Sequence, residues 1–349
     1  AIGMMLFTSR PVGDAMATTI WGTSSSWTLT ALPLFVWMGE ILFRTRLSEN
    51  LFKGLSPWMQ KLPGGLIHVN VVGCALFAAI SGSSAATVAT VGKMSIPELR
   101  KRNYPEKILL GSLAGSGTLG LLIPPSIILI IYGVAVQESI AKLFIAGILP
   151  GIMIALIFMS YVIFWSLINK KQMPKIIEEY SIFEKIKRSK QLLPVIILIS
   201  AVIGSIYTGI ATATEAASLG VVGALILSYF QKSLTLETFK TSLLGATKTS
   251  CMIAFILAGS TFLSLAMGFT GLPRNLAMWI QNMDLSPYVL IFVLMIFYII
   301  LGMFLDGISA VVLTMAIIEP MIRQAGFDMI WFGIFLVVVV EMAQITPPV

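Results

Sequence analysis

Gly82-Ser83-Ser84-Ala85 precedes Pro97-Glu98-Leu99-Arg100, which in turn precedes Leu122-Ile123-Pro124-Pro125. The same series returns in the second half as Gly307-Ile308-Ser309-Ala310, Pro320-Met321-Ile322-Arg323 and Ile345-Thr346-Pro347-Pro348. From the proline of P-x-x-R to the first of the paired prolines is 27 positions in both halves. The Ser84 and Ser309 anchors agree with that spacing to within two residues. Glycine and proline interruptions at matched places in apolar sequence point to the binding site of a secondary transporter built from an internal repeat.

The surrounding composition agrees. Hydrophobic residues make up 57% of the chain and charged residues 11%, with a mean hydropathy of +0.93. A soluble domain carries about 25% charged residues, so most of this chain belongs in lipid. Apolar stretches at 143–168, 192–210, 216–230, 251–268, 287–305 and 329–345 read as long enough for the ~20 residues of a spanning helix. The fold class is therefore an all-α polytopic membrane protein. Cys74 and Cys251 lie far apart in apolar helical sequence and read as lipid- or core-buried free thiols. His68 is the single histidine, which argues against a zinc or iron site. Without a Ser–His, Asp–Asp or metal constellation, the chain does not read as an enzyme. The net charge of +7 sits in loops, as in the cytoplasmic loops of membrane proteins, and points to no nucleic acid. The chain starts at Ala1 and stops at Val349, directly after a Pro-Pro break. It reads as a core or fragment lacking segments at both ends, with no signal peptide visible.

Orientation follows the basic residues. The loop 169–191 carries Lys170, Lys171, Lys175, Lys185, Lys187, Arg188 and Lys190 and is read as cytoplasmic. Working backwards, 140–168 returns from outside and 105–135 leaves the cytoplasm. Before that, 65–81 and 84–99 are apolar but short, and are flanked by Lys53, Lys61 and Arg100 to Arg102. They form a re-entrant hairpin opening to the cytoplasm, tolerated at depth only where it is buried or lines a cavity. Working forwards, 192–210 goes out, 212–230 comes back, and Lys232–Lys248 reads as an interfacial amphipathic helix. Next, 249–268 goes out, and 286–306 with 309–323 makes a second hairpin. Its flanks hold Asp284 and Asp328, so it opens outside. Hairpins from opposite faces make an inverted-topology repeat.

A helix that stops inside the membrane leaves about four carbonyls unpaired, and one that starts there leaves N–H groups. Carbonyl ends with Ser or Thr hydroxyls suit Na⁺, and N-terminal ends suit a carboxylate. Ser81, Ser83, Ser84, Thr87 and Ser126 supply hydroxyls in the first half; Ser309, Thr314 and Thr346 do so in the second. Two cation sites follow, one between each tip and the broken helix behind it, with an anion site between the tips. The same hydroxyls also serve ordinary helix contacts. Asp306 is read as organising the second tip with a polar contact to substrate, with capping of a half-helix and ligation of a cation as alternatives. Glu341 is a second acid in apolar sequence, with a pairing role and a transport role both open. Glu40 and Glu319 are placed near interfaces. Glu215, after Thr212, reads as a first-turn acid in a threonine-capped helix. His68 and Asn70 read as a polar interface anchor.

Ser81-Gly82-Ser83-Ser84-Ala85, Leu122-Ile123-Pro124-Pro125-Ser126, Tyr132-Gly133 and Ser139–Phe144 carry a family resemblance. Ala146–Gly151, Ala211–Ala217, Asp306-Gly307 and Ile345-Thr346-Pro347-Pro348 extend it through almost the whole chain. The chain resembles the large membrane subunit, of the DctM type, of tripartite ATP-independent periplasmic (TRAP) transporters. One departure is Ala213, where the family often has proline. The resemblance implies a Na⁺-coupled importer in a prokaryotic inner membrane, working with a small four-helix membrane subunit. A periplasmic binding protein would deliver the organic acid. It also implies an elevator fold, with scaffold segments 1–63 and 136–248 and transport segments 64–135 and 249–349. Carried over by position, Gly82, Ser84, Gly117, Gly120 and Pro124 hold one Na⁺. Gly307, Ala310, Gln344, Thr346 and Pro347 hold another. Ser81, Ser83, Ser126, Asp306 and Ser309 lie nearest the substrate. A two-hairpin dicarboxylate or citrate symporter without a binding protein is the alternative.

Overall fold

The computed structural model describes residues 4–5, 11–45, 47–174, 180–271, 273, 275–276, 278 and 286–346. Among these residues it is helical throughout, without strands. The first helices are α1 (Val12–Ser24), α2 (Ala31–Phe43), α3 (Leu47–Met59), α4 (Ile67–Ser81), α5 (Ser84–Lys101) and α6 (Glu106–Gly117). Next come α7 (Ile127–Ala135), α8 (Ile140–Ile168), α9 (Ile182–Ser189), α10 (Leu193–Tyr207) and α11 (Ala213–Phe230). The last are α12 (Leu236–Thr270), α13 (Pro287–Gly302), α14 (Gly307–Gln324) and α15 (Met329–Gln344). Four of the described helices, α8, α11, α12 and α14, are long and apolar enough to cross a membrane. Two bent pairs, Val12–Ser24 with Trp27–Phe43 at 52° and Ile182–Ser189 with Leu193–Tyr207 at 57°, raise that to six.

Local rules account for several boundaries. Thr212 and Glu215 close a capping box at the start of α11. The Thr212 hydroxyl accepts from Glu215 N, and Glu215 Oε2 accepts from Thr212 N at 2.8 Å, so the acid is where the sequence places it. Other boundaries depart from expectation. The segment Lys232–Lys248 is not a separate interfacial helix, because α12 runs unbroken from Leu236 to Thr270. Nothing between Thr241 and Ser250 stops a helix: there is no proline, and the Thr241 hydroxyl returns to Glu237 O at 2.8 Å. The stretches 287–305 and 329–345 form helices of 16 residues each. At 1.5 Å per residue they reach about 24 Å, short of a ~30 Å hydrocarbon core.

The chain divides into two compact units. One comprises Leu34–Ile127 and Gly147–Ala246. In it α4, α5 and α6 pack mutually. Ile67 of α4, Ile108 of α6 and Val162 of α8 form a buried cluster with Tyr104, Trp165 and Met173 against it. His68 and Asn70 are fully buried here. His68 Nε2 bonds Pro63 O at 2.8 Å, while Asn70 Nδ2 donates to Leu109 O and to Ser112 Oγ on α6.

The other unit comprises Ala1–Pro33, Ile128–Ala146 and Thr247–Val349. In it α13, α14 and α15 pack mutually. These two three-helix groups share a ruler. From Ser84 to Gly307, and from Glu106 to Met329, is 223 positions each time. Helices α5 and α14 are both 18 residues long, and Pro97 and Pro320 occupy the same place in each. The duplicated motifs are therefore a duplicated helix pattern.

Candidate functional site

In the first hairpin α4 ends on Gly82, whose φ of +58° lies in the left-handed region that favours glycine. Ser83 is extended and caps α5, its side chain accepting from Ala86 N. The turn is closed by hydroxyls. Ser81 Oγ lies 2.9 Å from Thr87 Oγ1, and Thr87 donates to Ser83 O at 2.7 Å. Behind the turn, α6 stops at Gly117 and tightens into a 3₁₀ segment, Thr118–Leu121, before Pro124-Pro125. Proline offers no N–H and cannot continue the ladder, so the predicted break is present. Ser126 is buried and donates to Leu121 O across it.

Turn and break meet backbone to backbone. Ile127 N donates to Gly82 O at 3.3 Å. A Cβ at Gly82 would stand 2.5 Å from Pro125 O, and one at Gly120 would stand 2.7 Å from the Ser83 carbonyl. A Cβ at Gly117 would collide with Val88. Gly82 and Gly120 are thus brought together at one turn beside Pro125, Gly117 faces Val88 on α5, and Ser84 is half-buried at the start of α5.

The second hairpin is built the same way with different chemistry. Its turn is Met303–Asp306, because α13 ends at Gly302. Gly307–Ala310, read from sequence as the tip, is the first turn of α14. Asp306 is the N-cap, with Oδ2 accepting from Ser309 N at 3.1 Å. Aligned by caps, Ser83 corresponds to Asp306, so equating Gly82 with Gly307 is two residues out of step. The reason is local: Asp-Gly reads as a turn, whereas an aspartate capping N3 starts a helix one residue later. A Cβ at Gly307 would lie 2.9 Å from Val340 and 3.1 Å from Gln344 Nε2. Ala310 is buried beside them in sequence, and Ser309 is half-buried. Thr346 returns its hydroxyl to Met342 O at 2.7 Å. Pro347 and Pro348 lie outside the described residues, as does Asp284.

Two further contacts, unforeseen from sequence, fix the neighbourhood of this second group. The buried Tyr132 hydroxyl donates to Met329 O at 2.6 Å, and Gly333 lies against the Tyr132 ring. Arg323 of the P-x-x-R pattern bonds Glu319 at 2.9 Å and Val136 O at 3.1 Å. The Tyr132-Gly133 pair was visible as part of the resemblance, but its partner 197 positions away was not.

The family model described as "Tripartite ATP-independent periplasmic transporter, DctM component" matches residues 1–349. The chain belongs to this DctM family. Among its relatives is the C4-dicarboxylate TRAP transporter large permease protein DctM of Pseudomonas aeruginosa. The two are 32% identical over 100% of this chain and 81% of the relative. A protein of the same description from Rhodobacter capsulatus is 32% identical over 99% of this chain and 81% of its own length. The 2,3-diketo-L-gulonate TRAP transporter large permease protein YiaN of Escherichia coli is 31% identical over 96% and 78%. As a DctM component, the chain is a transporter permease subunit of the membrane. Each hairpin turn joined to its break or to α15 is then the place to look for ligand chemistry in this permease.

Proposed function

We propose that this permease subunit imports an organic acid anion by coupling it to Na⁺. One observation carries the reading: a glycine at or directly after each hairpin turn packs against the end of, or the break beyond, the helix that follows the hairpin. Gly82 does so on Pro125 and Ile127, and Gly307 on Val340 and Gln344. Such interrupted helices offer unpaired carbonyls and hydroxyl oxygens to a hard cation. Gly82, Ser84, Gly117, Gly120 and Pro124 serve one Na⁺; Gly307, Ala310, Gln344, Thr346 and Pro347 serve the other. Ser81, Ser83, Ser126, Asp306 and Ser309 serve substrate recognition. The relatives named above carry C4-dicarboxylate and 2,3-diketo-L-gulonate in their descriptions, and both are organic acids, which supports a carboxylate here.

In this reading the subunit sits in a prokaryotic inner membrane with a small four-helix partner, and a periplasmic binding protein delivers the substrate. The two three-helix groups enter from opposite faces and move as an elevator. Proteoliposomes holding both membrane subunits test it, with binding protein outside and an imposed Na⁺ gradient. Uptake should require both the gradient and the binding protein, and Ser83→Ala and Ser309→Ala should each weaken it without loss of folded protein. Wild-type rates and Na⁺ dependence in both variants would sink the assignment.

A further inference from the structure

Glu341 lies on α15 and is 3% exposed. Its Oε1 has no hydrogen-bond partner, and among the described residues no ion pair reaches its carboxyl group. The three helices packed together here, α13, α14 and α15, carry a single basic side chain, Arg323. Arg323 stands 16 residues along α14 from Gly307, which is about 24 Å at the helical rise. Gly307 is the residue that α14 sets against Val340 and Gln344, so Arg323 is at the far end. It is also engaged there, by Glu319 and Val136 O.

Among the described residues, the other acids and the buried tyrosines on and against these helices have partners of their own. Asp306 and Asp328 cap α14 and α15, accepting from Ser309 N and Trp331 N. The Tyr298 hydroxyl pairs with Thr314 Oγ1 at 2.7 Å, and that of Tyr132 with Met329 O. Glu341 is the exception. The position 223 residues earlier is Thr118, a buried hydroxyl that donates to Gly115 O at 2.8 Å. One copy of the repeat thus keeps a satisfied neutral group where the other keeps a carboxyl whose Oε1 has no partner among the described residues.

An ionised carboxylate without a counter-charge costs several kcal/mol to hold away from water. An acid inside a membrane segment is rare and marks an ion pathway or proton relay. We propose that Glu341 is a monovalent-cation site, separate from the two turn sites, occupied by a proton or an alkali cation and exchanging it as the protein works. The exchange rests on the transport reading above; the cation at the carboxyl does not.

The test is labelling of the wild-type subunit, purified with its small membrane partner, by the lipid-soluble carbodiimide DCCD, which reacts with protonated carboxyls. Adducts are located by mass spectrometry while pH is varied in potassium buffer and Na⁺ is varied at fixed pH. An adduct at Glu341 that falls about tenfold per pH unit above its midpoint, and ignores Na⁺, identifies a proton site. An adduct suppressed by Na⁺, but not by the same concentration of potassium, identifies an alkali site. No adduct at Glu341, or one indifferent to both pH and Na⁺, overturns the proposal. Glu341→Gln should remove the adduct and keep the gel-filtration profile, but the wild-type measurement stands without it. Because labelling needs no transport, Na⁺-independent uptake would defeat the function proposed above and leave this site intact.

Discussion

Gly82 and Pro125 touch through their backbones: a Cβ at Gly82 would lie 2.5 Å from the Pro125 carbonyl oxygen. Two penalties therefore meet at one residue, since Gly82 also holds φ +58°. The left-handed conformation costs a non-glycine residue about 1–2 kcal/mol, and a backbone oxygen cannot swing aside as a side chain would. Gly82→Ala should lower the melting temperature of the purified subunit sharply and abolish uptake. Gly111→Ala is the control, because nothing lies within 4 Å of a Cβ there. In mid-helix it should leave stability unchanged or raise it by about 0.5–1 kcal/mol.

Asp306 separates capping from charge. Asparagine caps a helix as well as aspartate, whereas alanine costs about 1 kcal/mol. Asp306→Asn should therefore keep the wild-type melting temperature while uptake falls, and Asp306→Ala should lose both. Normal uptake with asparagine would confine Asp306 to capping.

Tyr132 and Gly333 should behave as one contact. Tyr132→Phe removes the buried bond to Met329 O and should cost about 1–3 kcal/mol. In Gly333→Ala the new methyl meets the Tyr132 ring at 2.5 Å, an overpacking that costs about 1–3 kcal/mol. Groups in contact are non-additive, so a double-mutant cycle by thermal unfolding should show coupling. Simple additivity would mean that the tyrosine hydroxyl and the glycine act independently.

Thr212→Ala removes half of a capping box far from both turns in sequence. It should cost about 1 kcal/mol and leave the Na⁺ dependence of uptake unchanged.

Much of the fold was legible because it obeys short-range rules. The arms of the first hairpin were read as 65–81 and 84–99 and are Ile67–Ser81 and Ser84–Lys101, since Gly82 and Ser83 are a C-terminal and an N-terminal signal side by side. The first Pro-Pro break was equally plain. The second turn was misplaced because Asp306-Gly307 supports both a turn and a helix start, and only the bond to Ser309 N decides. What sequence reasoning missed lay at a distance. His68 and Asn70 read as a polar anchor, and the partners of Asn70, Leu109 O and Ser112 Oγ, stand some forty positions on. The continuity of α12 was missed because a change from basic to apolar composition suggested a boundary that no proline or cap enforces.

The 223-residue ruler has an electrical consequence. At two matched places, Ser83 with Asp306 and Thr118 with Glu341, the first three-helix group holds a hydroxyl and the second an acid. A duplicated helix pattern has thereby become lopsided in charge. In the proposed reading, a cation at the first turn meets dipoles alone, whereas one at the second meets the Asp306 carboxylate beside its dipoles. The two turn sites should then fill at different concentrations, the second first.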